Sequence, residues 1–201
     1  MEPIVKRMGV LATILSREKQ SQYIGIMLTA SHNPVQDNGV KLVDVNGQIL
    51  PDSFEPLAES FANMNDRELL EEIEKAKNKG TGGRVVLGRD TRPSGNHLLQ
   101  QAHKGISSVN GFALDVGLVT TPQLHAYVAF LNQGIKPEHL EGRYFASLME
   151  SLQSFDLKKI SLTVDTANGV GALTLSRLAP SLPFPVTIIN SGSGVLNHLV
   201  S

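Results

Sequence analysis

The stretch YIGIMLTASHNPVQDNGVKLVD, residues 23–44, decides how the chain is interpreted. Residues 23–28 form an apolar run of strand length, and polar residues replace it abruptly from Thr29 onward. A short apolar run bounded by turn-forming residues is typical of a buried strand. Ser31, His32 and Asn33 therefore lie in a loop at the mouth of such a strand, where α/β proteins often place reactive groups.

Short apolar strands and helices alternate along the rest of the chain. Further strands are predicted at 40–44, 48–50, 84–87, 112–116, 158–164 and 185–189. Helices are predicted from about residue 3, at 54–78 and 94–107, after Thr120, at 143–154 and after 171. Ser94 and Thr120 are candidate N-caps. The Asn46–Gly47 pair predicts a hairpin between 40–44 and 48–50. This alternation predicts an α/β fold with helices layered on a sheet.

Composition restricts the class of partner. The chain has 201 residues and a formal net charge of −1, so it offers no basic field for nucleic acid or for an anionic membrane. It contains no cysteine, which excludes disulfides, thiolate chemistry and zinc–cysteine sites. The longest N-terminal apolar run, residues 8–15, is too short to cross a bilayer. We expect a cytoplasmic protein that binds neither nucleic acid nor a membrane.

Ser31 has two interpretations from its own sequence context. It is either an ordinary turn residue or an exposed nucleophile. His32 is next to it, but adjacent residues rarely have the geometry of a Ser–His pair, so a serine hydrolase is only weakly supported. Lys41, ten residues on, is either a solvated strand lysine or a functional group beside Ser31.

Other candidate residues follow predicted strands. The segment GRDTRP, residues 88–93, holds two arginines that suit phosphate, with Asp90 between them as a possible structural partner. The segment DTANGVG, residues 165–171, is a tight strand-to-helix turn whose helix start would favour an anion. Neither a dinucleotide fingerprint nor a Walker phosphate loop occurs, and no His, Asp and Glu cluster has metal-ligand spacing.

Taken together, five motifs carry a family resemblance. TASHNPVQDNGVKL (29–42), GRDTRPS (88–94), TTPQLH (120–125), VDxANGxGAL (164–173) and LNHL (196–199) resemble, in this order, the α-D-phosphohexomutases. Within that superfamily they are similar to the branch that interconverts N-acetylglucosamine 6-phosphate and 1-phosphate on the route to UDP-N-acetylglucosamine. The resemblance covers nearly the whole chain, and it implies a sugar phosphate as substrate.

The resemblance also implies roles for particular residues. Ser31 matches the serine that carries a phosphoryl group and contributes one ligand to Mg²⁺. His32 and Lys41 match positions in proton transfer and active-site hydrogen bonding. Substrate or phosphate binding is implied for Asn33, Arg89 and Asn168.

The resemblance implies a fold and an expected limit. The fold is a three-layer α/β/α domain over residues 1–134, lacking its first strand, followed by the start of a similar domain over 135–201. The three aspartates that hold Mg²⁺ in the family lie in a DGDxDR loop, which the 201 residues do not contain. We therefore expect this chain alone to lack mutase turnover. The alternative is a non-catalytic binding or regulatory fragment. Family members are mostly monomeric, and self-association is expected for a chain without the first strand.

Overall fold

The strands of the described residues form two separate sheets. The computed structural model describes residues 1–80, 82–157, 159–192 and 194–197. Within these ranges the helices are α1 (Glu2–Glu18), α2 (Glu55–Asn63), α3 (Asp66–Asn78), α4 (Gly95–Ser108), α5 (Thr121–Asn132), α6 (Leu140–Leu152) and α7 (Gly171–Leu178). The strands are β1 (Tyr23–Leu28), β2 (Val40–Val43), β3 (Arg84–Arg89), β4 (Phe112–Leu118), β5 (Leu162–Asp165) and β6 (Val186–Ile189).

The first sheet has the order β2-β1-β3-β4. Strands β1, β3 and β4 are parallel, and β2 pairs with β1 in the antiparallel direction. Five of the six residues of β1 are buried, because helices cover both faces of the sheet. Since parallel strands end at the same edge, the loops that follow β1, β3 and β4 meet there.

Helices form a layer on each face of this sheet. In one core, the four helices α1, α2, α3 and α4 pack against side chains of β1 and β3 such as Ile24, Ile26 and Leu87. The other core joins α5 and the start of α6 to Met27, Val86 and their neighbours. The α/β/α layering expected from the sequence is confirmed.

Helices α1 and α4 cross at very short range. A Cβ atom on Gly105 would lie 2.0 Å from the carbonyl oxygen of Lys6, and one on Gly9 would lie 2.5 Å from the carbonyl oxygen of Ala102. Only glycine fits at these two positions, because the opposing atoms are backbone. The crossing fixes α4, and with it the loop that leads from β3 into α4.

Several local predictions are confirmed and others are corrected. Strand β1 has the predicted bounds, and the Thr120 side chain caps α5 in a capping box with Gln123. The predicted hairpin is wrong beyond its turn, because residues 48–50 contribute a single bridge, Val43 to Ile49, instead of a strand. The predicted helix 54–78 is two helices, since Asn65 caps a new one.

The second sheet is small and exposed. Strands β5 and β6 pair in parallel, with α7 between them in the sequence. Three of the four residues of β5 are exposed. The predicted strand 158–164 begins only at Leu162, and residue 158 lies outside the described residues. The domain boundary near 134 stays a prediction, because α6 packs on α5 through Leu140 and the Tyr127–Tyr144 ring contact.

Candidate active site

Ser31 is presented by a strained turn at the carboxyl end of β1. Its φ angle is +50°, in the left-handed region that residues other than glycine rarely adopt, and the residue is exposed. The turn is closed by a hydrogen bond from the Asn33 amide to the Ala30 carbonyl, 3.0 Å. Such a conformation costs about 1–2 kcal/mol and persists only where surrounding contacts impose it, most often at functional sites.

A buried ion pair lies beneath this turn. The Arg92 guanidinium donates to the Asp90 carboxylate, and both side chains are almost fully buried. Asp90 also accepts from the Thr29 hydroxyl at 2.7 Å and from the Arg92 amide at 2.9 Å. The Arg92 Nε donates to the Asp37 carbonyl at 2.8 Å. The network therefore joins the end of β1 to the loop after β3, and its charges are compensated within the protein.

The far side of the serine loop is anchored separately. The Asn38 side chain donates to the Ser94 hydroxyl at 2.9 Å. The Thr29 amide donates to the Gly39 carbonyl at 3.1 Å, which closes the loop at its base. Ser94 is the N-cap residue of α4, as predicted, but its side chain makes no capping hydrogen bond. Its hydroxyl instead accepts from Asn38.

A cavity of about 220 Å³ opens in front of Ser31. Thr29 and Ser31 line it together with residues 90–92 after β3 and 120–122 at the start of α5. Residues 169–171, before and at the start of α7, and 196–197 complete the lining. The cavity is thus built from two parts of the chain: the first part, up to α5, which holds the first sheet, and the second part, from α6 onward, which holds the second sheet. Ser31 is exposed within it.

Two helices begin at the walls of this cavity. Thr120 and Thr121 mark the start of α5, and Gly171 is the first residue of α7. The N-terminal ends of helices carry a partial positive charge, which favours an anion. An exposed hydroxyl facing two helix starts is an arrangement suited to phosphate chemistry.

The other residues of the serine loop lie around this centre. His32 and Asn33 are exposed. The Asn33 carbonyl accepts hydrogen bonds that hold the turn. Lys41 is exposed on β2 and pairs in register with Met27, which lines the cavity. Directly opposed residues of antiparallel strands share a face, so Lys41 projects from the sheet face that Met27 occupies.

Arg89 and Asn168 have partners outside the cavity. The Arg89 Nε donates to the Asn96 side chain at 2.8 Å. Asn168 donates to the Val195 carbonyl at 3.1 Å and accepts from the amides of Gly192 and Gly194. Asn168 thus organises the segment after β6. Neither residue lines the cavity, and their assignment to phosphate stays a prediction.

A family comparison matches the part of the chain that holds Ser31. The family described as "Phosphoglucomutase/phosphomannomutase, alpha/beta/alpha domain I" matches residues 11–69 and 67–136, more than half of the chain.

The chain belongs to the phosphoglucomutase/phosphomannomutase family.

Curated relatives of this phosphoglucomutase/phosphomannomutase family member include phosphoacetylglucosamine mutases of several organisms. The chain is 40% identical to phosphoacetylglucosamine mutase of Homo sapiens over 215 residues, covering 99% of this chain and 40% of the relative. It is 37% identical to phosphoacetylglucosamine mutase of Oryza sativa over 220 residues, covering 98% of this chain and 39% of the relative. The chain therefore spans about two fifths of the length of the curated relatives it matches.

A solved structure agrees with the fold. The chain resembles Aspergillus fumigatus N-acetylphosphoglucosamine mutase in complex with GlcNAc-6P and magnesium, with a TM-score of 0.83 and 35% identity. The match covers 95% of this chain and 38% of that chain.

The described residues of this family member were compared with what a metal ion requires. No group of three or more His, Cys, Asp or Glu side chains within the described residues could hold a metal ion. Asp90 supplies a carboxylate to the cavity lining, but this carboxylate is already bonded to Arg92 and Thr29. The described residues therefore do not fit Mg²⁺. In the same part of the chain, no helix has the length and apolarity needed to span a membrane.

Three site residues were not assigned by sequence reasoning. Arg92, Thr29 and Asn197 contact or support the serine turn, although the motifs that contain them were recognised. For Arg92 the sequence did carry a signal, since the segment 88–93 contains two arginines. Only their burial in the fold shows which of the two supports the turn. For Asn197 no such signal existed, because its contact spans 166 residues of sequence.

Proposed function

We propose that this chain carries the phosphoryl-transfer serine of a phosphoacetylglucosamine mutase, with N-acetylglucosamine 6-phosphate and 1-phosphate as substrates. The observation that carries the proposal is the exposed Ser31, held in a left-handed turn against a cavity with two helix starts in its wall. The curated relatives and the solved structure, whose names state this activity, support the choice of substrate.

The proposed chemistry is a phosphoryl exchange at Ser31. The phosphorylated Oγ gives its phosphoryl group to a free hydroxyl of the sugar phosphate, forming a sugar bisphosphate and a free serine hydroxyl. The serine oxygen then attacks the phosphorus of the other phosphate, whose bond to the sugar oxygen breaks. The serine is rephosphorylated, and the sugar leaves with its phosphate at the other position.

The role of the surrounding residues is positioning and charge stabilisation, on which phosphoryl transfer mainly depends. The positive ends of α5 and α7 would face phosphate oxygens in the cavity. A phosphoserine brings about −1.5 to −2 charges, which these groups and Lys41 would offset. Lys41 and His32 are the proposed proton carriers, because both are exposed beside the serine loop.

Mg²⁺ is part of the proposal only through Ser31. The solved relative from Aspergillus fumigatus is described as a complex with magnesium. A phosphoserine oxygen is a suitable hard ligand for Mg²⁺, but the described residues supply no carboxylate cluster to complete the coordination. No step above is assigned to the metal. The cytoplasmic location inferred from the sequence is also part of the proposal.

The test is a chimera in the Homo sapiens relative. Residues 1–197 of this chain replace the matching segment, and conversion of N-acetylglucosamine 6-phosphate into the 1-phosphate is measured. We expect conversion that is lost in Ser31→Ala and kept in Ser107→Ala, a control on the exposed side of α4. A chimera that is folded by circular dichroism but inactive, or one that stays active with Ser31→Ala, would overturn the proposal.

A further inference from the structure

Two side chains from different parts of the fold donate to the same two carbonyl oxygens of the serine turn. The Arg92 Nη2 lies 3.2 Å from the Ser31 oxygen and 2.9 Å from the Asn33 oxygen. The Asn197 Nδ2 lies 2.7 Å and 3.0 Å from the same two oxygens. A carbonyl oxygen has two lone pairs and can accept from both donors. The turn is thus held from two sides.

The donor from the first part of the chain is fixed in place. Arg92 follows β3, and its side chain is 1% exposed. Its charge is compensated by Asp90, and its Nε is occupied by the Asp37 carbonyl. Although arginine is a common phosphate ligand, this guanidinium is directed at main-chain carbonyls beneath the turn. Its geometry assigns it to support of the turn.

The donor from the second part depends on the segment after β6. The main-chain amide of Asn197 donates to the Ala167 carbonyl at 3.0 Å, in the turn between β5 and α7. The Asn168 side chain holds the same segment through Val195. The position of the Asn197 side chain is therefore set by the small sheet, and its contact with Ser31 joins that sheet to the serine turn.

We propose that Arg92 and Asn197 form a two-sided clamp that holds Ser31 in its left-handed conformation, and that the second part of the chain completes it. This inference deepens the proposed function and rests on it. Both are positioning residues, since they act on the backbone of the turn. A left-handed serine returns readily to ordinary φ values when its supports are removed, because that conformation is intrinsically unfavourable. Loss of either donor should therefore loosen the turn while the fold persists.

The test measures hydrogen–deuterium exchange of the serine loop in the 201-residue chain. Asn197→Asp removes the donor and places a carboxylate against two carbonyl oxygens. We expect two amides to exchange about tenfold faster: that of Asn33, bonded to Ala30 within the turn, and that of Asp37, bonded to Pro34 in the loop that follows. Tenfold is the factor that corresponds to loss of one or two net hydrogen bonds. The thermal midpoint should stay unchanged, because Asn197 lies outside both buried cores.

A matched variant separates the clamp from general damage. Asn190→Gly removes a side-chain donor in the same part of the chain, also at a positive φ, where the side chain donates to Asp165 instead of to the serine turn. Its loop exchange should stay at the parent value. Arg92→Lys, which keeps a cation beside Asp90 but loses the fork, should raise exchange at the same two amides. Equal exchange in the parent, Asn197→Asp and Arg92→Lys, or an equal rise in Asn190→Gly, would overturn the clamp.

A kinetic arm keeps the two proposals distinguishable. In the chimera, Asn197→Asp should lower kcat about tenfold with little change in KM, because substrate contacts remain while the nucleophile is misplaced. An unchanged kcat would contradict the clamp even if Ser31→Ala abolishes activity. A chimera that stays active with Ser31→Ala would contradict the proposed function, while the exchange measurement would still decide the clamp.

Discussion

The two sheets of this protein differ in how deeply their strands are buried. In the first sheet, the central strands β1 and β3 are buried along most of their length between two helical layers. In the second sheet, every residue of β5 and β6 is either exposed or half-buried. The first sheet carries Ser31, and the second reaches back to it through Asn197. Ser31 is therefore positioned by a well-buried sheet, while a weakly buried sheet supplies part of the support of its turn.

The largest expected contrast concerns an aspartate at the end of a strand in each sheet. Asp90→Ala leaves the buried Arg92 charge without its partner, and we expect the free energy of unfolding to fall by about 3–5 kcal/mol. Asp165→Ala removes exposed contacts to the Ala167 amide and the Asn190 side chain, and should cost about 1 kcal/mol. Urea denaturation of both variants measures the contrast. Equal losses would break the comparison.

The second contrast concerns isoleucines of the two sheets. Ile26 on β1 is fully buried, whereas Ile189 on β6 is 43% exposed. Ile26→Ala should lower the free energy of unfolding by about 3–4 kcal/mol, because it removes buried apolar surface and leaves a cavity. Ile189→Ala should cost about 1 kcal/mol or less. Chemical denaturation followed by circular dichroism gives both values, and a larger loss at Ile189 would contradict the account.

The third contrast makes the same glycine-to-alanine substitution at two positions, where we expect opposite effects on the free energy of unfolding. Gly105→Ala places a Cβ against the Lys6 carbonyl and should destabilise the protein by about 2–3 kcal/mol, since α1 and α4 must separate. Gly142→Ala lies on α6 with no atom within 4 Å of the new Cβ, and should stabilise by about 0.5–1 kcal/mol through helix propensity. Thermal unfolding decides the signs, and a neutral Gly105→Ala would show that the helix crossing yields.

The smallest effect concerns the junction between the two parts. Burial, followed by the nearby Glu141 carboxylate, raises the pKa of Tyr127 to about 12. The Tyr127 hydroxyl accepts from Gln123, whose side-chain oxygen accepts from Thr174 of α7. Because the pKa of the folded state is raised above its usual value near 10, the stabilisation is complete below pH 10 and is lost as the pH rises through 12.

We therefore expect the free energy of unfolding to fall by about 2 kcal/mol between pH 10 and pH 12 through this group. Tyr127→Phe removes the titration, so its stability should fall less over the same range. Denaturation at several pH values compares the two proteins. Parallel losses would show that Tyr127 ionises as freely in the folded protein as in the unfolded chain.

The sequence predicted the first sheet better than the second, for a physical reason. Strand β1 was predicted to the residue, because a fully buried strand is a continuous apolar run between turn formers. Strand β5 begins at Leu162 instead of 158, because an exposed strand has no such boundary. The prediction of a strand at 48–50 is wrong, because Ile49 is 70% exposed and makes a single bridge, to Val43.

The candidate site was predicted in part. The motif around Ser31 indicates the candidate nucleophile only through the family resemblance, because its own sequence context fits an ordinary turn residue as well. The support of the turn was not predicted, because Arg92 and Asn197 reach it through contacts that span 61 and 166 residues of sequence. Burial, which decides that Arg92 holds carbonyls, is a property of the fold and is not readable from two neighbouring arginines.

The most direct test of the central claim is the location of the phosphoryl group. The chimera with residues 1–197 is incubated with glucose 1,6-bisphosphate and Mg²⁺, digested, and analysed by tandem mass spectrometry. We expect one phosphoryl group on the peptide that contains Ser31, assigned to the Ser31 side chain and absent from Ser31→Ala. A chimera that turns over substrate with its phosphoryl group on another residue, or with none, would contradict it.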